Sequence, residues 1–267
     1  MTSGGYYRYP ALWDKNIVFV SEGDLWHTTL DTLTARRLTF NKGAIKSPVF
    51  SPDGESLAFA SSDEGHSELY IMPSQGGEMK RLTYMGDDLT VVGWTQEGIY
   101  FTSSSGQPFM KWNVVWRIDP TGGIPEQLNI GPANFISFKK DSPASGAVIQ
   151  RHGYREYGYW KRYRGGTAGD IWIDTAGKGD FKRILPLKGD LARPLWIGNQ
   201  IVFSSDHEGV GNPSASGCRG HADSRRRHDR DVHDALPDRY RQRAGILPQR
   251  RHPAIRAAQA GCLTLVV

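Results

Sequence analysis

A unit of strands recurs along this chain, and the recurrence limits the possible folds more than any composition figure does. "DLWHTTLDTLTARRLT" at 24–39 is echoed by "ELYIMPSQGGEMKRLT" at 68–83, "VVWRIDPTGGIPEQLN" at 114–129 and "DIWIDTAGKGDFKRIL" at 170–185. Each copy opens on an apolar–aromatic pair: Leu25-Trp26, Leu69-Tyr70, Val115-Trp116 and Ile171-Trp172. The aromatic positions lie 44, 46 and 56 residues apart. An alternating apolar strand and a polar turn precede each copy, as in "NIVFVSEGDLW" and "SLAFASSDEGHSELY", and "SPVFSPDGESLAF" adds a tight Pro-Asp-Gly turn. Four short strands per unit and a period in the forties describe a β-propeller blade. One blade cannot bury both of its faces, so several must pack together. The expected fold class is therefore all-β, an incomplete β-propeller over residues 1–212 with about four to five blades. Trp26, Tyr70, Trp116 and Trp172 are read as packing between blades rather than as a ligand cage.

The repeat breaks inside "SSDHEGVGNPSASGCRGHADSRRRHDRDVHD". The next apolar–aromatic pair is due at 212–214, where Pro213 and Ser214 stand instead. No Phe or Trp follows Phe203. Residues 213–267 hold 11 Arg, 5 Asp, no Lys and no Glu. Arg, Ala, Gly and Pro share GC-rich codons, so this stretch has the composition of a coding region read in the wrong frame. A frameshift at or just before Pro213 is the expectation, with 213–267 an irregular Arg/Ala/Pro-rich tail and not a domain. The alternative is a true disordered basic tail.

The charge follows the same division. The chain carries +5 overall, but the excess sits in 213–267 and the body is close to neutral. That argues against a nucleic-acid-binding body. Basic and aromatic residues interleave in "RHGYREYGYWKRYRGG" at 151–166. The stretch could suggest single-stranded nucleic acid, but it reads better as a long loop or hairpin that stretches one repeat. Both cysteines, Cys218 and Cys262, lie in the tail, so no disulfide, thiolate metal site or cysteine nucleophile is expected in the body. His27, His66, His152 and His207 lack metal-ligand spacing. His221, His228, His233 and His252 fall among the tail arginines. No metal or cofactor is expected, and no catalytic residues: no Gly-x-Ser-x-Gly elbow is present. No stretch is long and apolar enough to span a membrane. No basic region followed by an apolar run opens the sequence. A cytoplasmic location is the expectation.

Five segments carry a family resemblance: "GYYRYPAL", "VVGWTQEGIYF", "GPANFISF", "YWKRYRGGTAGDIWID" and "SDHEGVGN". Together they resemble the N-terminal propeller of tricorn-type proteases, from about Gly5 to Asn212. The resemblance implies a six-bladed propeller at the start of a large serine peptidase that trims peptides. It implies catalytic domains further along the polypeptide, assembly into a homo-oligomer, and a propeller that gates or channels peptides. This chain would be a catalytically inactive fragment of such an enzyme. The family also holds a peptide's C-terminal carboxylate on a basic pair in a propeller loop. The corresponding loop is "SGQPFMKWN" at 105–113, where the pair reads Met110-Lys111 and only Lys111 is basic. A lysine offers a point charge where arginine would offer a bidentate fork. A stand-alone TolB-like propeller that binds a protein or peptide is the alternative.

Overall fold

A computed structural model describes residues 6–32, 34–40, 42–109, 112–153, 165–184, 187–207 and 212–217. The chain divides into two compact units, Met1–Asn134 and Phe135–Val267. Every sheet is an antiparallel meander in chain order, and no α-helix occurs among the described residues.

The first unit holds three four-stranded sheets. The first sheet contains β1 (Arg8–Trp13), β2 (Asn16–Ser21), β3 (Asp24–Thr29) and β4 (Arg36–Arg37). The second contains β5 (Ile45–Phe50), β6 (Ser56–Ser61), β7 (Glu68–Pro73) and β8 (Lys80–Arg81). The third contains β9 (Leu89–Thr95), β10 (Gly98–Ser103), β11 (Val114–Ile118) and β12 (Glu126–Pro132). The opening strands lie side by side, β1 against β5 and β5 against β9.

The alternation in "SLAFAS" explains how these sheets stack. Successive residues of β6 face opposite ways. Leu57 and Phe59 join Val18, Val20, Leu25, Ile45, Tyr70 and Met72 on one side. Ala58 and Ala60 join Leu89, Val91, Ile99, Phe101 and Ile118 on the other. The core is thus a pair of layers between sheets, with large side chains alternating with small ones. Phe59, Leu57 and Leu69 are fully buried, and each such side chain contributes about 1.5–3 kcal/mol.

The second unit holds a four-stranded sheet of β13 (Phe135–Phe138), β14 (Ala147–Arg151), β15 (Asp170–Asp174) and β16 (Lys182–Ile184). Beside it is a three-stranded sheet of β17 (Leu191–Ile197), β18 (Gln200–Ser205) and β19 (Asn212–Gly217). Val148 and Ile171 pack against Leu191, Trp196, Ile201 and Phe203 between them.

The five sheets are the blades of an incomplete β-propeller, four with four strands and one with three among the described residues. One detail departs from the sequence reading. Pro213–Gly217, expected to fall in an irregular tail, continues strand β19 and pairs with Gln200–Ser204. Strand pairing uses backbone N–H and C=O groups, so the loss of strand-like side chains after Asn212 does not by itself end the ladder. Residues 218–267, with both cysteines and the four tail histidines, lie outside the described residues.

Candidate functional site

The recurring "Arg-Leu-Thr" ending turns out to be half of a buried latch. In the second blade Thr83 Oγ1 donates to Glu68 Oε2 at 2.5 Å and accepts from the Leu69 amide at 2.9 Å. The amides of Met85 and Gly86 also donate to Glu68, at 3.0 and 2.9 Å, and Arg81 Nη2 lies 3.3 Å from it. The first blade repeats the arrangement with Asp24, Thr39, the Leu25 amide and Arg37. The latch pins the short outer strand and the crossing to the next blade, so these acids are structural. The repeat in the sequence showed the threonine, but the acid just before the apolar–aromatic pair went unread.

Two of the recurring aromatics stand in the layers between blades, as expected, and the other two are held within their own sheets. Tyr70 is buried in the core beside Phe59, and Trp116 packs against the layer between blades two and three. Trp26 Nε1 donates to the Ser21 carbonyl at 3.1 Å. Trp172 lies under the Arg151 guanidinium, 4.6 Å from its ring centroid.

A serine–histidine contact also has a plain explanation. Ser205 Oγ and His207 Nδ1 are 2.8 Å apart, and the His207 amide donates to the same oxygen at 3.2 Å. The amides of Asp63 and Ser105 donate in the same way to Ser61 and Ser103. The serine closes a turn at the same place in three blades, which marks it as a fold feature and not a nucleophile. Among the described residues no three His, Cys, Asp or Glu side chains are grouped to hold a metal.

What distinguishes one end of the first unit is exposed aromatic surface. In a meander, the turn between strands two and three and the crossing from strand four to the next blade lie at the same end. That end carries Tyr6, Tyr7, Phe40, Tyr84, Phe109 and Trp112, six of the nine exposed large hydrophobic side chains among the described residues. Phe40 is 78% and Tyr84 77% exposed. Arg37 lies over Phe40 at 4.5 Å and Arg81 over Tyr84 at 4.2 Å. Exposed apolar side chains gathered at one end mark a surface for contact with something else.

The loop singled out for peptide binding is at this end. Lys111 and Met110 lie outside the described residues, but their neighbours are placed. Phe109 and Trp112 have ring centroids 6.5 Å apart, and the Trp112 amide donates to the Phe109 carbonyl at 3.2 Å. The base of the loop is tied down: Ser104 Oγ donates to Asp87 at 2.7 Å, and Ser105 Oγ to the Met85 carbonyl at 3.0 Å. Asn113 Nδ2 donates to Asn134 Oδ1 at 2.9 Å. The loop therefore stands on two fixed stems and presents its aromatic pair outward.

The first strands hold the chain's recurrent backbone strain. Tyr9, Ser47 and Arg193 have φ of 50°, 47° and 49°, and each precedes a proline: Pro10, Pro48 and Pro194. A residue before proline ordinarily avoids helical values of ψ. In each strand this residue sits in a bulge, between Arg8 and Ala11, Lys46 and Val49, and Ala192 and Leu195. Ser47 Oγ accepts from the Val91 amide of the next blade at 3.1 Å.

Comparison with known proteins agrees with this architecture. Residues 4–228 match the family described as the tricorn protease N-terminal beta propeller domain. Tricorn protease homolog 1 of Streptomyces coelicolor is 36% identical over 209 residues, which are 77% of this chain and 19% of that protein. The putative tricorn-like protease N-terminal subunit of Sulfurisphaera tokodaii is 30% identical over 63% of this chain and 86% of its own length. The crystal structure of the tricorn protease superposes with a TM-score of 0.72 at 28% identity, covering 82% of this chain and 22% of the other. This chain thus spans about a fifth of the longer relatives. By its blades and the match over residues 4–228, the chain belongs to the tricorn protease N-terminal β-propeller family.

Proposed function

We propose that this chain is the propeller part of a tricorn-type serine peptidase, that it gates or channels peptides for that enzyme's catalytic domains, and that these residues are inactive alone. The observation that carries the reading is the family match over residues 4–228. A relative of comparable size is named an N-terminal subunit, which supports a propeller that works with separately supplied domains. The same reading has it act on peptides, in the cytoplasm, in assemblies of several copies. Lys111, between exposed Phe109 and Trp112, is its proposed point charge for a peptide's C-terminal carboxylate. No observation favours the stand-alone TolB-like alternative. For the tail, the absence of Phe and Trp after Phe203 supports an out-of-frame origin, which translation of the neighbouring frames downstream of the repeat would test.

The experiment pairs the purified chain with the C-terminal part of a tricorn homologue and short fluorogenic peptides. The chain alone is expected to release no fluorophore, and the mixture to cleave faster than the C-terminal part alone. Hydrolysis by the chain alone that a serine reagent blocks, or a mixture no faster than its catalytic component, would overturn the proposal.

A further inference from the structure

The repeat supplies its own control for one arginine. Arg8 on β1 and Lys46 on β5 are equivalent: each is the last paired residue before the bulge, opposite Val20 and Ala60. The Lys46 ammonium is bonded to Asp88, which stands immediately before β9, the opening strand of the next blade. The position equivalent to Asp88 in front of β5 is Ala44. Arg8 therefore has the neighbour geometry of Lys46 without its carboxylate. Its Nε is buried and makes no hydrogen bond among the described residues. Its guanidinium carbon lies 5.5 Å from the Tyr6 ring centroid and 5.7 Å from that of Tyr9. Third in the series, Thr90 on β9 is uncharged and needs no partner.

An arginine stays protonated, and a buried donor without an acceptor is destabilising. The pre-proline bulge that recurs at Ser47 and Arg193 is occupied here by Tyr9, whose ring lies beside the Arg8 guanidinium. We infer that Arg8, flanked by Tyr6 and Tyr9, is a recognition site for a carboxylate carried by a ligand, which fills the place that Asp88 fills for Lys46. Arginine presents a planar fork that matches a carboxylate, and the two rings confine that plane. The carboxylate is a peptide's C-terminus or an acidic side chain. The inference stands on the equivalence of the blades and does not depend on the peptidase reading or on Lys111.

The test follows the Arg8 Nε–H resonance of the full chain by NMR. Three probes are titrated: acetyl-tetra-alanine with a free C-terminus, its amide, and the amide with one internal glutamate. The free acid, the glutamate peptide or both are expected to shift that resonance, with the neutral amide at least tenfold weaker. Which of the two acidic probes binds identifies the source of the carboxylate. Arg8→Gln, read from the remaining shifts, is expected to weaken binding at least tenfold, and Lys111→Ala to leave it unchanged. Ala44→Asp places a carboxylate where Asp88 stands in the next blade. It is expected to weaken binding at least tenfold while raising the urea midpoint, which separates an occupied site from a misfolded one. Equal binding of all three probes, or no binding by any, overturns the inference. So does loss of binding in Lys111→Ala with Arg8→Gln unaffected, or full binding in Ala44→Asp.

Discussion

Thr83 Oγ1 donates to Glu68 Oε2 at 2.5 Å in a site where Glu68 is 1% exposed. Thr39 and Asp24 keep the same relation at 2.7 Å one blade earlier. The third blade has replaced both partners: Val114 occupies the acid's register position opposite Ser103, as Glu68 does opposite Ser61. Asn129 stands where the threonine would be. The third blade has thus lost acid and threonine together, whereas the fourth keeps an acid alone: Asp170, 23% exposed and paired with Arg183, with Leu185 at the threonine's place in the sequence. A buried carboxylate needs all of its donors, whereas an apolar residue needs none.

Removing one member alone is therefore expected to cost stability. Thr83→Val leaves the Leu69 amide without its acceptor and Glu68 with one donor fewer. A loss of about 1–3 kcal/mol is expected. Glu68→Ala strands the Thr83 hydroxyl and two amides, while Arg81 keeps Glu64 and the Thr83 carbonyl, and about 3–5 kcal/mol is expected. Urea unfolding checks both. The double change Glu68→Val with Thr83→Asn, copied from the third blade, should cost less than the sum of the single changes.

Tyr70 gives a prediction of the opposite sign. Its ring is 4% exposed and stacks on Phe59 with centroids 6.2 Å apart, but its hydroxyl is buried with no hydrogen-bond partner among the described residues. Burial, followed by the Glu64 carboxylate, pushes that hydroxyl's pKa up. Tyr70→Phe keeps the packing and removes the unsatisfied group. The variant is expected to be unchanged or more stable by about 1 kcal/mol. A loss of stability on that scale in urea would show that the hydroxyl has a partner in solution.

Period and alternation made the blades legible, because each strand of "SLAFAS" type must show one face to each neighbouring sheet. The recurring aromatics were legible for the same reason. The latch was not, because it joins residues 15 apart through a carboxylate whose burial the sequence does not announce. Strand β19 was missed because Pro213-Ser-Ala-Ser-Gly217 carries no strand-like side chains, and backbone pairing needs none. Arg8 was invisible for a subtler reason. Its significance lies in what Ala44 lacks, and that needs the register of two blades to be known. Lys111 was singled out by resemblance alone, since a lone loop lysine has no pattern of its own.

His27 is expected to make the stability of the first blade depend on pH. It is 7% exposed on β3, with Nε2 2.9 Å from Asn16 Oδ1 on β2 and Arg36 opposite on β4. Arg36 cannot swing away freely, because it donates to the Gln75 carbonyl at 2.9 Å and to Gln75 Oε1 at 2.6 Å. Burial first, and then the Arg36 charge, lower the pKa of His27 from 6.5. The folded state therefore binds a proton less readily than the unfolded chain does. The stability of neutral His27 is present above about pH 6.5. It is lost as the pH falls from there through the lower folded value, because the unfolded chain takes up the proton first. Urea midpoints measured between about pH 5 and 8 should fall on the acid side for the native chain. His27→Gln, which keeps a hydrogen-bonding group beside Asn16 but does not titrate, should flatten that fall. Arg36→Ala removes the second cause and should move the onset of charging in the folded state upward, so that the fall becomes shallower. A native chain whose midpoint does not change across this range would mean that His27 charges as readily in the blade as in water.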